Sequence, residues 1–320
     1  MIMASDLQQI KISVLVVTYN PKWDALRRTL YSIIMQEDAA FEIIVSDDGS
    51  RENYFDKVRE YFAQNNFTQY VLVENKENQG TVKNVLSGLK YVSGRWVKPI
   101  SPGDFLYDVH VLRDTYDFII NNKADFYFWH SVYYSFDNNN LTIYEDKANP
   151  KDIRPYLNND LKKIKRNIFL YSDYILGADI LSDTALFASY LQKLSEFIVY
   201  SEDFAFMYMI ARGMSVKFIP IIGGCYEYGT GISTNSSSPL RKKLMEENRK
   251  LFTYLFKNNM IDKYVYKIHC SPSFFQRVFL KLLYAPKLIF RKFLPNSHTK
   301  KGYDNLNYKI DNIRKIVFYR

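Results

Sequence analysis

Phe41-Glu42-Ile43-Ile44-Val45-Ser46-Asp47-Asp48-Gly49-Ser50 is the stretch on which the fold turns. Its apolar residues run together without alternating, as in a strand buried on both faces of a parallel sheet. The run stops at two carboxylates, and Gly49 supplies the turn that ends it. Asp47 and Asp48 then stand at the carboxyl end of a parallel strand, where open α/β sheets bind ligands. Taken alone, the same residues also make a plain Asp-Gly turn.

The flanking stretches favour the ligand site. Ile10 to Thr18 reads as a second strand and ends in Thr18-Tyr19-Asn20-Pro21. Leu26, Leu30, Ile33 and Ile34 recur at helical spacing after it, with Asp24 near the helix start. Asn53 to Gln64 predicts a helix. Tyr70 to Glu74 predicts a strand that ends in Glu77-Asn78-Gln79-Gly80. Thr81 can cap the next helix, whose core face is Val82, Val85, Leu86 and Leu89. Trp96 to Ile100 is a strand ending at Ser101-Pro102-Gly103-Asp104. Strand and helix thus alternate about four times, which implies a parallel sheet with right-handed crossovers. Every polar stretch falls at a strand's carboxyl end, so all of them can converge on one crevice.

The second half is less regular. Ala124 to Phe136 is aromatic and strand-like, and returns through Leu141 to Tyr144 as a hairpin. Helices are expected over Val109–Asn121, Leu186–Leu194 and Asp203–Ala211, and a strand over Val216–Ile222. Gly223, Gly224, Gly229 and Gly231 are expected to mark a flexible loop that runs to Pro239. Leu240 to Phe256 reads as a charged helix.

Composition narrows the class. The 320 residues suit one large domain, or one domain with an extension, and 47% hydrophobic content allows a sizeable core. Cys225 and Cys270 form no metal or redox spacing, so a reducing cytosol is the expected setting. Met1 to Gln9 lacks the apolar core of a signal peptide, and no apolar run reaches a membrane span of roughly 18 residues. The net charge of +9 belongs to the tail: from Phe274 to Arg320, eleven Lys or Arg stand against two Asp. A one-ended basic block points to a surface partner such as anionic lipid. Nucleic acid is not expected, since no nucleic-acid-binding motif is present.

The order of motifs resembles glycosyltransferase family 2, the inverting enzymes with a GT-A fold, over about residues 10–235. The matching parts are VVTYN at 16–20, SDDGS at 46–50, NQG at 78–80 with Asn84, SPGD at 101–104 and SED at 201–203. The resemblance implies a Rossmann-like, mainly parallel sheet flanked by helices. It divides the chain into a GT-A domain at 1–239 and a helical, basic extension at 240–320. Within the domain, 10–105 would bind the nucleotide-sugar and 106–239 the acceptor. By match, Thr18, Tyr19, Asn20 and Asp48 line the donor pocket, while Asp47 holds the turn. Asn78, Gly80 and Asn84 match the segment near ribose and diphosphate, although Asn78-Gln79-Gly80 also reads as a turn before a capped helix.

Two departures matter. Where the family carries two or three metal-binding aspartates, this chain has Ser101, Pro102, Gly103 and Asp104. Asp104 alone, with diphosphate and water, would hold manganese or magnesium weakly or leave it dispensable. The alternative is a turn in which Asp104 bonds backbone N–H groups, and Asp108 is a weaker candidate ligand. The Glu202–Asp203 pair matches the family's acidic pair, in which the aspartate is the general base for the acceptor hydroxyl. The same Ser201-Glu202-Asp203 can instead cap the helix that holds Phe206, Met209 and Ile210. If metal is weak, Arg241 or Lys242 are candidates to stabilise the leaving diphosphate. Tyr226 to Thr234 matches a loop that closes over the donor. Trp129, Tyr133, Tyr134, Tyr171 and Tyr174 are candidates for stacking on sugar rings, although each reads more readily as a core or surface aromatic.

The segment Phe274 to Leu294 pairs Arg277 with Lys281, and Lys287 with Arg291, on shared helical faces among Phe and Leu. It reads as an amphipathic helix lying on anionic lipid, divided at Pro286. Packing on the domain or in a dimer is the other reading, and a homo-oligomer stays open. The expectation is a cytoplasmic transferase, peripheral on the inner membrane face. It would move a sugar from a UDP-linked donor to a lipid-linked or growing bacterial surface glycan, as in capsule or cell-wall synthesis. The rival reading is a catalytically silent nucleotide-sugar-binding scaffold for a partner transferase. A nucleotidyltransferase fits less well, because no Gly-rich, basic phosphate loop follows the first strand.

Overall fold

The computed structural model describes residues 11–137, 139–230, 240–284 and 308–318. The amino-terminal half alternates strand and helix: β1 (Ile12–Thr18), α1 (Trp23–Ile34), β2 (Phe41–Asp47), α2 (Phe55–Gln64), β3 (Tyr70–Glu74), α3 (Thr81–Leu89) and β4 (Trp96–Ile100). These four strands are parallel, in the order β3-β2-β1-β4. The unbroken apolar run of β2 follows from having a core on each side. Ile43 and Val45 pack with α1 and α2, while Ile44 packs with Val82, Val85 and Leu89 of α3. Burying a side chain of this size contributes about 1.5–3 kcal/mol.

The chain continues through β5 (Phe105–Leu106), α4 (Val111–Asn121), β6 (Phe126–Asp137), β7 (Asn140–Ile143), α5 (Arg154–Leu157) and α6 (Leu161–Phe169). A 3-10 turn at Gly177–Asp179 leads into β8 (Ile180–Asp183), α7 (Thr184–Leu194), α8 (Phe204–Arg212) and β9 (Val216–Glu227). The sheet extends as β4-β8-β6-β9-β5, with the β6–β7 hairpin at one side. Because β8 runs antiparallel to β4, its start and the 3-10 turn lie at the carboxyl end of β4. That crossing carries the second half of the chain back to the edge where the first half ends its strands.

The glycine loop expected from Gly223 onward begins later than the sequence reading placed it. Gly223 and Gly224 lie inside β9. A Cβ on Gly223 would sit 2.1 Å from the Trp129 ring, and one on Gly224 would sit 2.6 Å from Ser131 Oγ. Glycine is needed there for close packing in a strand rather than for freedom in a loop. Residues 231–239, the rest of the expected loop, lie outside the described residues.

Among the described residues four helices follow: α9 (Arg241–Lys257), α10 (Lys263–Cys270), α11 (Phe274–Tyr284) and α12 (Ile310–Val317). Leu251, Phe252 and Leu255 of α9 join the core on the α3 side. Ile313, Ile316 and Val317 of α12 join the core on the α1 side. Between these anchors, α11 has no buried residue. Pro286 and the remainder of the expected amphipathic segment lie outside the described residues.

Candidate active site

Four turns stand at the carboxyl edge of the parallel strands, one after each of β1 to β4, and hydrogen bonds tie the first three together. Asp47 is fully buried. Its Oδ1 accepts from Thr18 Oγ1 at 2.8 Å and from Ser50 Oγ at 2.6 Å, and its Oδ2 accepts from the Ser50 N–H at 2.8 Å. Asp48 reaches the next turn. Its two oxygens accept the N–H groups of Gln79 at 2.9 Å and Gly80 at 2.8 Å, at the start of α3. Burial pushes the Asp48 carboxyl above its ordinary value, and the two N–H groups partly oppose that rise.

Asn84 locks the same corner from beneath. Its amide N–H groups donate to the carbonyls of Thr18 and Ser46, and its oxygen accepts from Ser46 Oγ and Asn75 Nδ2. That occupies both donors and both lone pairs, so the side chain holds β1 and β2 together from inside. Asn20 takes a left-handed backbone, accepts from the Arg51 N–H at 3.0 Å, and donates its own N–H to Ser50 Oγ at 2.6 Å. Beside it Tyr19 is 52% exposed. Asn78 is exposed and its Oδ1 accepts from the Gly80 N–H at 3.1 Å. The seven residues matched to the donor pocket therefore gather at one corner. Tyr19, Asn20 and Asn78 are exposed there, while Thr18, Asp48 and Asn84 build the frame.

Gly80 joins this corner to the other half of the chain. Its φ is +91°, and a Cβ would come within 2.3 Å of Val199 Cγ1. The Val82 N–H donates to the Val199 carbonyl at 2.9 Å. Only glycine lets the segment before α8 sit against the start of α3 in this way.

Asp104 is 8% exposed, and its Oδ1 accepts from the Glu227 N–H at 2.9 Å. Burial lifts its carboxyl to about 7, against the opposing pull of that N–H and of Lys98. Among the described residues, no group of three His, Cys, Asp or Glu side chains gathers as a metal site. A divalent cation wants exposed, ionised oxygens, several at once. Asp104 offers a cation one buried carboxylate, and the bond it makes is the backbone-holding one that the sequence left open.

Around Asp104 lies a buried ionic group that the sequence reading missed. Arg28 faces Glu227 at 3.7 Å, with both side chains buried. Lys98 is 1% exposed and donates to the Pro99 and Ala178 carbonyls, each at 2.6 Å. Burial pulls its ammonium below the usual lysine range. Asp179 accepts from Ser131 Oγ at 2.5 Å, and burial raises its carboxyl. The signal was a lysine within the apolar Trp96–Ile100 strand, because a buried lysine requires partners.

Lys98 also secures the 3-10 turn whose Gly177 faces Asp203: a Cβ on Gly177 would lie 2.9 Å from Asp203 Cβ. Asp203 sits at the start of α8, but its side chain makes no capping hydrogen bond. The alternative that it serves only as a cap finds no such bond. Instead it lines a cavity of ≈ 70 Å³ with Tyr174, Ile175, Ile180, Phe204 and Met207. Burial lifts Asp203 to about 6, with neighbouring N–H groups pulling it down and the Glu247 carboxylate pushing it up. Glu202 rises to about 8, through burial first and then the charge of Asp203. Two like charges in an apolar setting titrate as a pair, and one of them keeps its proton longer.

The aromatic candidates separate. Trp129 and Tyr134 are fully buried and Tyr133 nearly so, so they belong to the core rather than to a sugar platform. Tyr134 donates to the Gly103 carbonyl at 2.5 Å. Tyr174 is partly exposed and lines the Asp203 cavity.

A sequence model of the family described as Glycosyl transferase family 2 matches residues 13–177. A search of curated proteins gives no match. Among solved structures, the chain is similar to a crystal structure of S. aureus TarS 1–349, at 16% identity and a TM-score of 0.54, covering 97% of this chain and 81% of that one. It is similar to the same protein in complex with UDP-GlcNAc, at 16% identity and a TM-score of 0.57, covering 96% and 82%. The complex with UDP gives 14% identity and a TM-score of 0.53, covering 96% and 78%. At such identities the likeness shows a shared fold.

Proposed function

The chain belongs to glycosyl transferase family 2 and is a glycosyltransferase that uses a nucleotide-sugar donor, and from that premise we propose an inverting transfer from a UDP-linked sugar to a hydroxyl of a lipid-linked or growing bacterial surface glycan. One observation supports the mechanism: Val199, on the segment that leads into Asp203, packs on Gly80 of the donor corner, and the Asp203 side chain does not cap its helix. Its carboxylate takes the proton from the acceptor hydroxyl, which is a poor nucleophile until that proton leaves. The freed oxygen attacks the anomeric carbon, the bond to the diphosphate breaks, and UDP departs from the opposite side. An α-linked donor then gives a β-linked product. Tyr19, Asn20 and Asn78 face the nucleotide. The frame of Asp47, Asp48 and Asn84 fixes their turns.

Support for UDP comes from the structural neighbours, whose complexes hold UDP and UDP-GlcNAc. Bound manganese or magnesium would neutralise charge on the leaving diphosphate. The burial of Asp104 favours a weak or dispensable metal, with Arg241 and Lys242 at the start of α9 as the cationic alternative. The catalytically silent scaffold draws support from Ser101, Pro102 and Gly103, which stand where the family places its carboxylates.

A peripheral place on the inner membrane face is supported by α11. Phe275 is 83% exposed, with Phe274, Phe279, Leu282 and Leu283 exposed beside Arg277 and Lys281. No helix among the described residues is long and apolar enough to cross a membrane. Each cation at an anionic surface contributes about 1 kcal/mol. Because α12 packs into the core, deleting everything after α10 would also damage the fold. Replacing Phe275 and Phe279 with Ser is the cleaner test, and it should release the protein from vesicles containing anionic lipid.

Thermal unfolding against nucleoside diphosphates tests the donor reading. UDP at a hundred times its dissociation constant should add about 2.7 kcal/mol and raise the midpoint by several degrees, with or without manganese. Absence of a shift with every nucleotide would overturn it. A shift confined to manganese would return the diphosphate charge to a metal.

A further inference from the structure

We propose that Glu247, on α9, is a positioning residue that latches the Asp203 loop to the donor corner. The proposal rests on Asp203 being the base. Glu247 is 4% exposed, and its carboxylate accepts from consecutive backbone N–H groups. Oε1 takes Val199 at 2.8 Å and Tyr200 at 3.0 Å, and Oε2 takes the Ser201 N–H at 3.1 Å and Ser201 Oγ at 2.8 Å. A buried carboxylate bonded this many times fixes the loop's path, because each lost bond would leave a buried polar group unsatisfied.

The latched loop has two outputs. Val199 presses on Gly80 and accepts from the Val82 N–H, at the turn that Asp48 holds. Two residues beyond Ser201, the chain reaches Asp203. One carboxylate thereby sets the base and the donor turn in a common frame.

The rest of that helix face does the same work. Lys243, Glu247, Lys250 and Tyr254 recur at spacings of four, three and four, so they share one side of α9. Lys243 Nζ lies 3.5 Å from Tyr200 Oη and over its ring, Lys250 Nζ donates to the Phe197 carbonyl at 3.3 Å, and the Tyr254 ring packs on Phe197. The Glu247 and Glu202 carboxyls act on Asp203, and Tyr174 lines the same cavity, while the two lysines of α9 hold the loop at Tyr200 and Phe197.

Glu247→Gln tests the latch, because the amide nitrogen cannot accept from the N–H groups and the charge is gone. Turnover is read as UDP released into water from UDP-glucose, UDP-galactose, UDP-GlcNAc and UDP-GalNAc, using the sugar that wild type turns over fastest. Exposed Glu246→Gln is the control, and Asp203→Asn the comparator. We expect kcat to fall about 10–100-fold, the scale of a misplaced catalytic group, with the donor KM within threefold. The acid limb of the pH profile should move to lower pH, since a negative neighbour of Asp203 has been removed. Backbone amides at 199–201 should exchange hydrogen faster. A kcat within twofold of wild type, or an unmoved acid limb, overturns the latch. If Asp203→Asn keeps its rate, the base assignment fails and takes the latch with it. An inactive Asp203→Asn beside a normal Glu247→Gln sinks the latch alone. Should Glu247→Gln unfold below the assay temperature, Ser201→Ala carries the test: a kcat lowered about 3–10-fold supports the latch, and a wild-type kcat overturns it.

Discussion

Asp48 and Asp203 are both carboxylates at the working edge of one sheet, and burial raises both, yet they differ in what their oxygens do. Asp48 has an N–H on each oxygen, which binds β2 to the start of α3. Asp203 sits where a capping residue belongs and makes no capping bond. An acid whose two oxygens hold the backbone of another turn is a brace. Asp203 takes only its own N–H and that of Phe204, braces no distant segment and lines a cavity, as the proposed base would. The contrast separates structure from chemistry where residue type cannot.

The largest effect that can break this comparison is on Asp203. Asp203→Asn should lower turnover by about 10²–10⁴-fold, the usual contribution of a general base. UDP affinity, read by calorimetry, should stay unchanged. Its unfolding midpoint should not fall, because a carboxylate held near like charges has been neutralised. The linkage has a definite sign. The folded Glu202–Asp203 pair holds protons that the unfolded chain has released, so this pair withdraws stability as pH rises from the ordinary carboxylate range towards about 8. Asp203→Asn should flatten part of that slope in midpoints measured across pH.

Asp48→Asn should show the opposite profile. Its amide nitrogen faces an N–H that needs an acceptor, which costs about 1–3 kcal/mol and should lower the midpoint by several degrees. The smallest effect belongs to Thr18→Val, which removes one hydrogen bond to Asp47 and should cost about 1 kcal/mol. If Asp48→Asn abolished turnover while leaving the midpoint untouched, the brace reading of Asp48 would be wrong.

Much of this was legible in the chain. The non-alternating Ile43-Ile44-Val45 run announced two cores, and the turn residues after each strand announced a shared edge. What escaped was set by tertiary contact. Gly223 and Gly224 look like loop residues until Trp129 and Ser131 are seen in the space their side chains would fill. Trp129, Tyr133 and Tyr134 read from sequence as core or surface aromatics or as sugar platforms, and their strand, set between two others, makes them core. Glu247 escaped although a signal was present: with Leu244, Leu251 and Leu255 it recurs at spacings of three and four, a lone acid on an apolar stripe. Such a residue must find buried donors, but the sequence does not say that they belong to the base loop.

The pH dependence of kcat/KM for UDP-sugar turnover tests the central claim most directly, compared between wild type and Asp203→Asn. A base lifted to about 6 is protonated below that pH and ionised above it, so wild-type activity should rise through about pH 6. The residual rate of Asp203→Asn should lack that limb. A wild-type limb near pH 4, or a limb near 6 that persists in Asp203→Asn, would contradict the assignment of Asp203 as the base.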